Sequence, residues 1–175
     1  KIVFNALWGL IKHPDKGWVL YDTGYTNRFF EETKTYPNKI YAKMTQVVID
    51  AKDEVKAQLK ENGISPEDIQ HVIITHFHGD HVAGLRDFPN ATFYASRAAL
   101  KQALKIPRAI AFSKGILKGL HPEDLESRTQ IIEEIAIKTE ESILGSTFDL
   151  FGDDSIKMIW LPGHAAGQMG VLLET

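Results

Sequence analysis

Apolar residues change their spacing several times along this chain, and each change marks a boundary. Two strand-like runs come first, Ile2–Ile11 and Trp18–Asp22, around the turn residues His13–Gly17, and together they predict a β-hairpin. Residues Asn27–Thr35 and Lys39–Thr45 mix aromatics with charges, which predicts two short helices packed on the sheet or walling a site. From Ala51 to Asn62 the apolar positions recur at helical spacing and Gly63 follows, so a surface helix with a glycine stop is expected. Ser65–Asp68 reads as a capped turn. The run His71–Thr75 is rich in β-branched residues and predicts a short buried strand. Beyond it, Val82–Phe88 reads as helix, Ala91–Ala95 as strand, and Arg97–Lys105 as a helix whose N-terminus is capped by the Ser96 hydroxyl.

From Ile106 to Leu144 the pattern turns irregular. Ile110, Phe112, Ile116, Leu117 and Leu120 fit no evident sheet, and a helical stretch is expected around Leu125–Ala136. Residues 106–145 are therefore expected to form a helical insertion or lid, with an ordinary helical packing layer as the alternative. Strands resume at Thr147–Phe151, Ile156–Leu161 and Met169–Leu173. Trp8, Trp18 and Trp160 are assigned to the core. This β–α alternation suits a layered sheet.

One short segment carries chemistry. His76-Phe-His78-Gly-Asp80-His81 packs four metal-capable side chains directly after a strand-type run. In extended backbone, residues two apart point to one side, so His76 and His78 can converge on a single ion. Gly79 allows a tight turn, after which Asp80 and His81 should diverge towards a second ion. Imidazole and carboxylate together suit zinc, and also iron or manganese. The alternative is a histidine-rich turn held only by backbone hydrogen bonds. His13 and His121 each precede proline in turns and His71 begins the strand at its far end, so these three are assigned to surface structure.

Composition narrows the picture without adding to the site. A chain of 175 residues, 43% hydrophobic and 25% charged, is enough for one buried core. The net charge of −3 offers no footprint for nucleic acid, and no apolar run reaches the ~18 residues of a membrane span. Neither nucleic acid nor membrane is expected as a partner; a small-molecule substrate is, and a homodimer is allowed. Without cysteine there are neither disulfides nor thiolate ligands. The cytoplasm is the compartment expected, with the N-terminus read as missing.

The His-x-His-x-Asp-His pattern, with Leu161-Pro-Gly-His164 far downstream, resembles the metallo-β-lactamase superfamily of metal-dependent hydrolases. The similarity extends to Asp22-Thr-Gly24, to Ser65–His71 leading into the motif strand, and to Gly152-Asp153. It implies an α/β (α+β) four-layer αββα sandwich, of which this chain, a single partial domain over residues 1–175, would cover the N-terminal half and the start of the second. It further implies that His76, His78 and His164 hold the first metal, that Asp80 and His81 belong to the second, and that Asp22 lies beneath the pair and helps orient a ligand. Family members add a bridging aspartate and another histidine after the equivalent of His164, so those two ligands are expected beyond Thr175. Asp153 and Asp154 precede His164 in a turn and are not substitutes.

Two divalent metal ions, zinc first, would make this a hydrolase in which a metal-bound hydroxide attacks the carbonyl of a small ester, lactone or thioester, with Asp80 orienting the nucleophile. The Asp-Thr-Gly turn and the Leu-Pro-Gly-His-Ala-Ala-Gly-Gln segment look closer to lactonase-like and glyoxalase-like branches. His-Gly-Asp-His-x-x-Gly-Leu is similar to the RNA-processing nucleases, against which the acidic balance weighs. A non-catalytic metal-binding or scaffold domain is the reading from another class. An aspartic protease, suggested by Val19–Gly24, would need a second such triplet to supply its paired carboxylate.

Overall fold

The computed structural model describes residues 4–135, 139–142 and 145–174. Its first sheet begins with the hairpin of β1 (Gly9–His13) and β2 (Gly17–Tyr21), paired antiparallel. The chain then leaves through helices α1 (Arg28–Glu32), α2 (Asn38–Met44) and α3 (Val55–Glu61) and returns as β3 (Ile69–Ile73). A single helical turn, α4 (Gly79–Val82), precedes β4 (Thr92–Ala95), and α5 (Arg97–Lys105) follows. After the short helices α6 (Arg108–Ala111) and α7 (Leu125–Arg128) comes the edge strand β5 (Thr129–Ile131), and then α8 (Ile132–Ile135). The sheet order is β1-β2-β3-β4-β5, parallel from β2 onward. A second, antiparallel sheet follows: β6 (Thr139–Ser142), β7 (Gly145–Asp149), β8 (Ile156–Trp160) and β9 (Met169–Leu173).

The parallel strands read as unbroken apolar runs because both their faces are covered. Neighbours in sequence point to opposite faces. Leu20, Val72 and Phe93 pack with Val55 and Leu59 of α3 and with Ala99, Leu100 and Ala103 of α5. Val19, Ile73 and Tyr94 pack instead against Ile156, Met158 and Met169 of the second sheet. Three layers, helices on sheet on sheet, are thus present among the described residues.

Several elements match the sequence closely, including α5 and its Ser96 cap, which accepts a hydrogen bond from Ala99 N at 3.1 Å. Others differ. The stretch expected as one helix over Leu125–Ala136 is broken by β5, because residues 129–131 pair with β4 and gain a ladder that a helix would forfeit. Four of the five apolar residues that fitted no sheet have homes: Ile116 joins the helix-side core, while Phe112, Leu117 and Leu120 pack with Phe29 and Ala83; Ile110 stays exposed. Residues 136–138 and 143–144 of the expected insertion, residues 1–3, which include the first two of the first strand-like run, and Thr175 lie outside the described residues. All three tryptophans are half-buried and pack at the margins of the core.

The three histidines expected on the surface are not surface groups. His13 is buried and His71 half-buried, the latter bonded to the Tyr94 hydroxyl at 2.9 Å. Strand β3 begins earlier than the sequence suggests, at Ile69, which puts His71 mid-strand. His121 is buried edge-on to Phe77. A proline beside a histidine marks the turn but not which way the imidazole swings, and here it swings inward.

Candidate metal centre

Parallel strands end at a common rim, and the site is built there. β2 runs into Asp22, β3 into Thr75 and His76, and β4 into Ser96. The Asp22-Thr23-Gly24 turn is stitched to both neighbours: Asp22 N donates to Ile73 O at 2.9 Å, and Thr23 N and Oγ1 donate to His81 O at 2.8 and 2.9 Å. It thereby fixes α4, which carries Asp80 and His81, against the end of β2. The fourth contribution comes from the second sheet, where the β8–β9 loop brings His164 across to the same rim.

His76, His78 and His164 converge there. Their donor nitrogens all lie within 4.8 Å of one another, and the ring centroids of His164 stand 5.0 Å from His76 and 4.6 Å from His78. His81 is adjacent, its ring centroid 3.9 Å from that of His76, and its Nε2 faces Asp80 Oδ2 at 3.4 Å. All five residues singled out in the sequence therefore meet in one place. Asp153 and Asp154 sit at the opposite end of β8, in a turn whose backbone N–H groups of Gly152 and Asp154 bond the buried Asp149 carboxylate.

Beneath the cluster, Asp22 is fully buried. It accepts from Thr75 N at 2.9 Å, from Thr75 Oγ1 at 2.7 Å and from His81 Nδ1 at 2.6 Å. The Thr75 hydroxyl has one proton, and the carboxylate is the better acceptor, so its lone pair is left to receive Nδ1–H of His76 at 3.0 Å. One carboxylate thus fixes Nδ1–H on both imidazoles: His76 presents a bare Nε2, whereas His81, held between Asp22 and Asp80, keeps a proton on Nε2 that an incoming ion would displace. Thr75 went unnoticed in the sequence. Its place immediately before the first motif histidine was the available signal.

Electrostatics agree with a cation-binding role. Burial, reinforced by the neighbouring His81 and His78, drives the His76 imidazole down to about 3, so it is a neutral ligand at pH 7. Its Nε2 is buried and finds no hydrogen-bond partner among the described residues, which is costly unless something electrophilic sits there. Burial also lowers His78, with His164 adding to the effect. For His81, burial is outweighed by the bonds and charges of Asp22 and Asp80, which push it up to about 10. Asp80 is raised by burial but held below its ordinary value on balance, chiefly by His81. Asp22 is pushed up by complete burial against the pull of His81 and Thr75. A buried partnerless nitrogen, two further imidazoles within reach and a carboxylate alongside fit a divalent ion of the zinc type.

Comparison with known proteins gives the family. The metallo-beta-lactamase superfamily profile matches residues 2–174, and the chain belongs to that superfamily. An N-acyl homoserine lactonase, AttM, of Azorhizobium caulinodans is 29% identical over 168 residues, covering 94% of this chain and 58% of its own length. The chain therefore spans little more than half of that relative. Among solved structures, an N-acyl homoserine lactone hydrolase with N-hexanoyl-L-homoserine bound at its catalytic metal centre superposes with a TM-score of 0.61 at 21% identity, over 92% of this chain and 55% of that one. AidC, a dizinc quorum-quenching lactonase, gives a TM-score of 0.59 at 17% identity, over 95% and 51%. These two share the fold. Among the described residues no helix is long and apolar enough to cross a membrane.

Proposed function

We propose that this protein is a metal-dependent hydrolase that opens a small lactone, ester or thioester, with an acylated lactone as the favoured substrate. The observation that carries this reading is the convergence of His76, His78 and His164 around the buried, partnerless Nε2 of His76. The lactonases among its relatives favour the lactone within that class.

In this reading His76, His78 and His164 hold the first ion, and Asp80 and His81 contribute to a second. Zinc is the favoured metal. Bound ions would supply the positive charge that acidifies a water and polarises a carbonyl oxygen. The protein's own part is preorganisation. Asp22 and Thr75 aim the Nε2 atoms of His76 and His81 outward, His81 giving up its Nε2 proton when the ion arrives, so no rotation is needed when charge develops. The Asp80 carboxylate, held ionised, accepts a hydrogen bond from the attacking water and aims its oxygen at the acyl carbon. A new C–O bond forms, the ring acyl–oxygen bond breaks, and the water's proton ends on the released alcohol, giving the hydroxy acid. Segment 112–120 of the expected insertion walls the site beside His78, with Gly115 packed directly on that imidazole.

The test uses the intact protein, zinc-loaded and chelator-stripped, against an N-acyl lactone, an aryl ester and an S-acyl thioester, with acid release as the readout. Zinc-dependent turnover that disappears in His76→Ala and His78→Ala is expected, and Asp80→Asn should lose turnover while keeping its fold. Undiminished activity in the histidine variants, or tight zinc binding with turnover of none of the three substrates, would overturn the assignment.

A further inference from the structure

His164 is the one cluster residue supplied by the second sheet, so its position depends on how the β8–β9 loop is docked rather than on the β3 rim. The loop's internal bonds, Leu161 N to Gln168 O at 3.0 Å and Gln168 N to Ala165 O at 3.3 Å, close it on itself without placing it. Two hydrogen bonds tie it to the first sheet. Met169 N donates to Thr75 O at 3.1 Å, and Ser96 Oγ donates to Gly167 O at 2.7 Å.

We infer that Ser96 is a positioning residue for His164: its hydroxyl docks the His164 loop on the N-terminus of α5 and so sets the affinity of the three-histidine site. The inference rests on the metal reading above. The Ser96 hydroxyl is buried, one of its lone pairs taking Ala99 N at 3.1 Å and its single proton going to Gly167 O. The helix cap therefore dictates the direction of the proton that holds the loop. The loop backbone also lies directly on the first turn of α5. A Cβ on Gly167 would stand 2.6 Å from Ala99 N and 2.9 Å from Ala98 Cβ and would strike Ser96 Oγ, and the residue's φ of +65° is one that glycine adopts without strain. Loop and helix fit only while this seat is intact. Because the nitrogen of His164 must stay within 4.8 Å of those of His76 and His78, releasing the seat costs affinity at the ion while leaving the sheets unchanged.

Capping and docking separate chemically. Ser96→Asp keeps a good acceptor for Ala99 N but carries no proton for Gly167 O and sets a carboxylate against that carbonyl. Ser96→Thr keeps both functions. In the intact protein, zinc affinity is measured by chelator competition and the stability of the zinc-free form by its urea midpoint. Ser96→Asp is expected to lose about 10- to 100-fold in first-site zinc affinity, the range typical for groups that orient ligands and more than any fall in the zinc-free midpoint accounts for. Ser96→Thr should bind within about threefold of wild type. Should Ser96→Asp fail to fold, Gly167→Ala provides the same readout by lifting the loop from its seat.

Wild-type affinity in Ser96→Asp, or in Gly167→Ala where it stands in, would overturn the inference. So would affinity lost only in proportion to stability, or a Ser96→Thr variant as weak as Ser96→Asp. A wild-type protein without zinc affinity would instead overturn the metal reading, and the inference with it, so the two failures are distinguishable.

Discussion

Nδ1 of His81 lies 2.6 Å from Oδ2 of Asp22, a carboxylate without solvent exposure on a residue held in left-handed backbone at φ 56°. Aspartate is among the few side chains that tolerate that conformation, and here the turn aims its carboxylate back under the motif strand. The same carboxylate reaches His76 through the Thr75 hydroxyl.

This relay predicts a difference between two variants. Asp22→Asn retains an oxygen for one donor but offers an N–H where a second must be accepted, so both His81 and His76 lose their preferred tautomer. Affinity for two ions should fall together, by about 10- to 100-fold each. Thr75→Val, which removes the hydroxyl alone, should weaken the first ion and spare the second. Calorimetric titration with zinc resolves the two steps; equal effects of both variants on both ions would contradict the relay.

Gly115 packs on His78. It has φ +71°, and a Cβ there would lie 2.6 Å from His78 Cδ2 and 2.9 Å from its Nε2. Gly115→Ala should therefore cost about 1–2 kcal/mol of stability from left-handed strain and also displace the imidazole. Expected outcomes are a lowered urea midpoint together with weaker zinc binding. Loss of stability with zinc affinity intact would show that His78 moves aside at no cost.

Stability should also depend on pH through His121, away from the cluster. Burial, helped by Lys118 and Arg86, lowers its imidazole from 6.5 to about 4. The unfolded chain therefore takes up this proton first as pH falls. The penalty is absent above about 6.5, grows as pH drops, and is complete below about 4, where it reaches about 3 kcal/mol. In urea titrations of chelator-treated protein, His121→Gln should lose that part of the acid sensitivity. A wild-type-minus-variant difference that stays flat between pH 7.5 and 4.5 would show that His121 is not buried in neutral form.

At the other end of the sheet, His13 holds the hairpin rather than any ion. Its Nδ1 accepts from Asp15 N and Lys16 N, both at 3.1 Å, and its Nε2 meets Asp153 at 2.8 Å and Ser155 at 3.0 Å. His13→Ala should destabilise the fold by about 1–3 kcal/mol through orphaned groups and leave zinc affinity unchanged. A variant that loses zinc without losing stability would refute this division of labour.

Much of the layout was legible in the sequence because strand and helix periods are local. The strand rim carrying His76 and His78, the helix Arg97–Lys105 with its serine cap, and β9 all stand where periodicity and turn chemistry put them. Edge strand β5 was not legible, since three residues carry no period of their own and become a strand only by pairing with β4. The inward turn of His13 and His121 was hidden for the same reason: burial is decided by what packs from elsewhere.

The sequence by itself determined which side chains are available for a metal and which of them leave a single strand end together, because spacing along one extended segment is fixed by covalent geometry. Tertiary structure alone decided that His164, 86 residues beyond His78, completes the triangle, that Asp22 reaches both imidazoles, and that Ser96 seats the distant loop. The Asp22 contacts arise from β2 lying beside β3 in the first sheet, and the His164 and Ser96 contacts from the two sheets packing face to face. No local pattern encodes them, since each depends on contacts between segments whose separation in sequence says nothing about their distance in space.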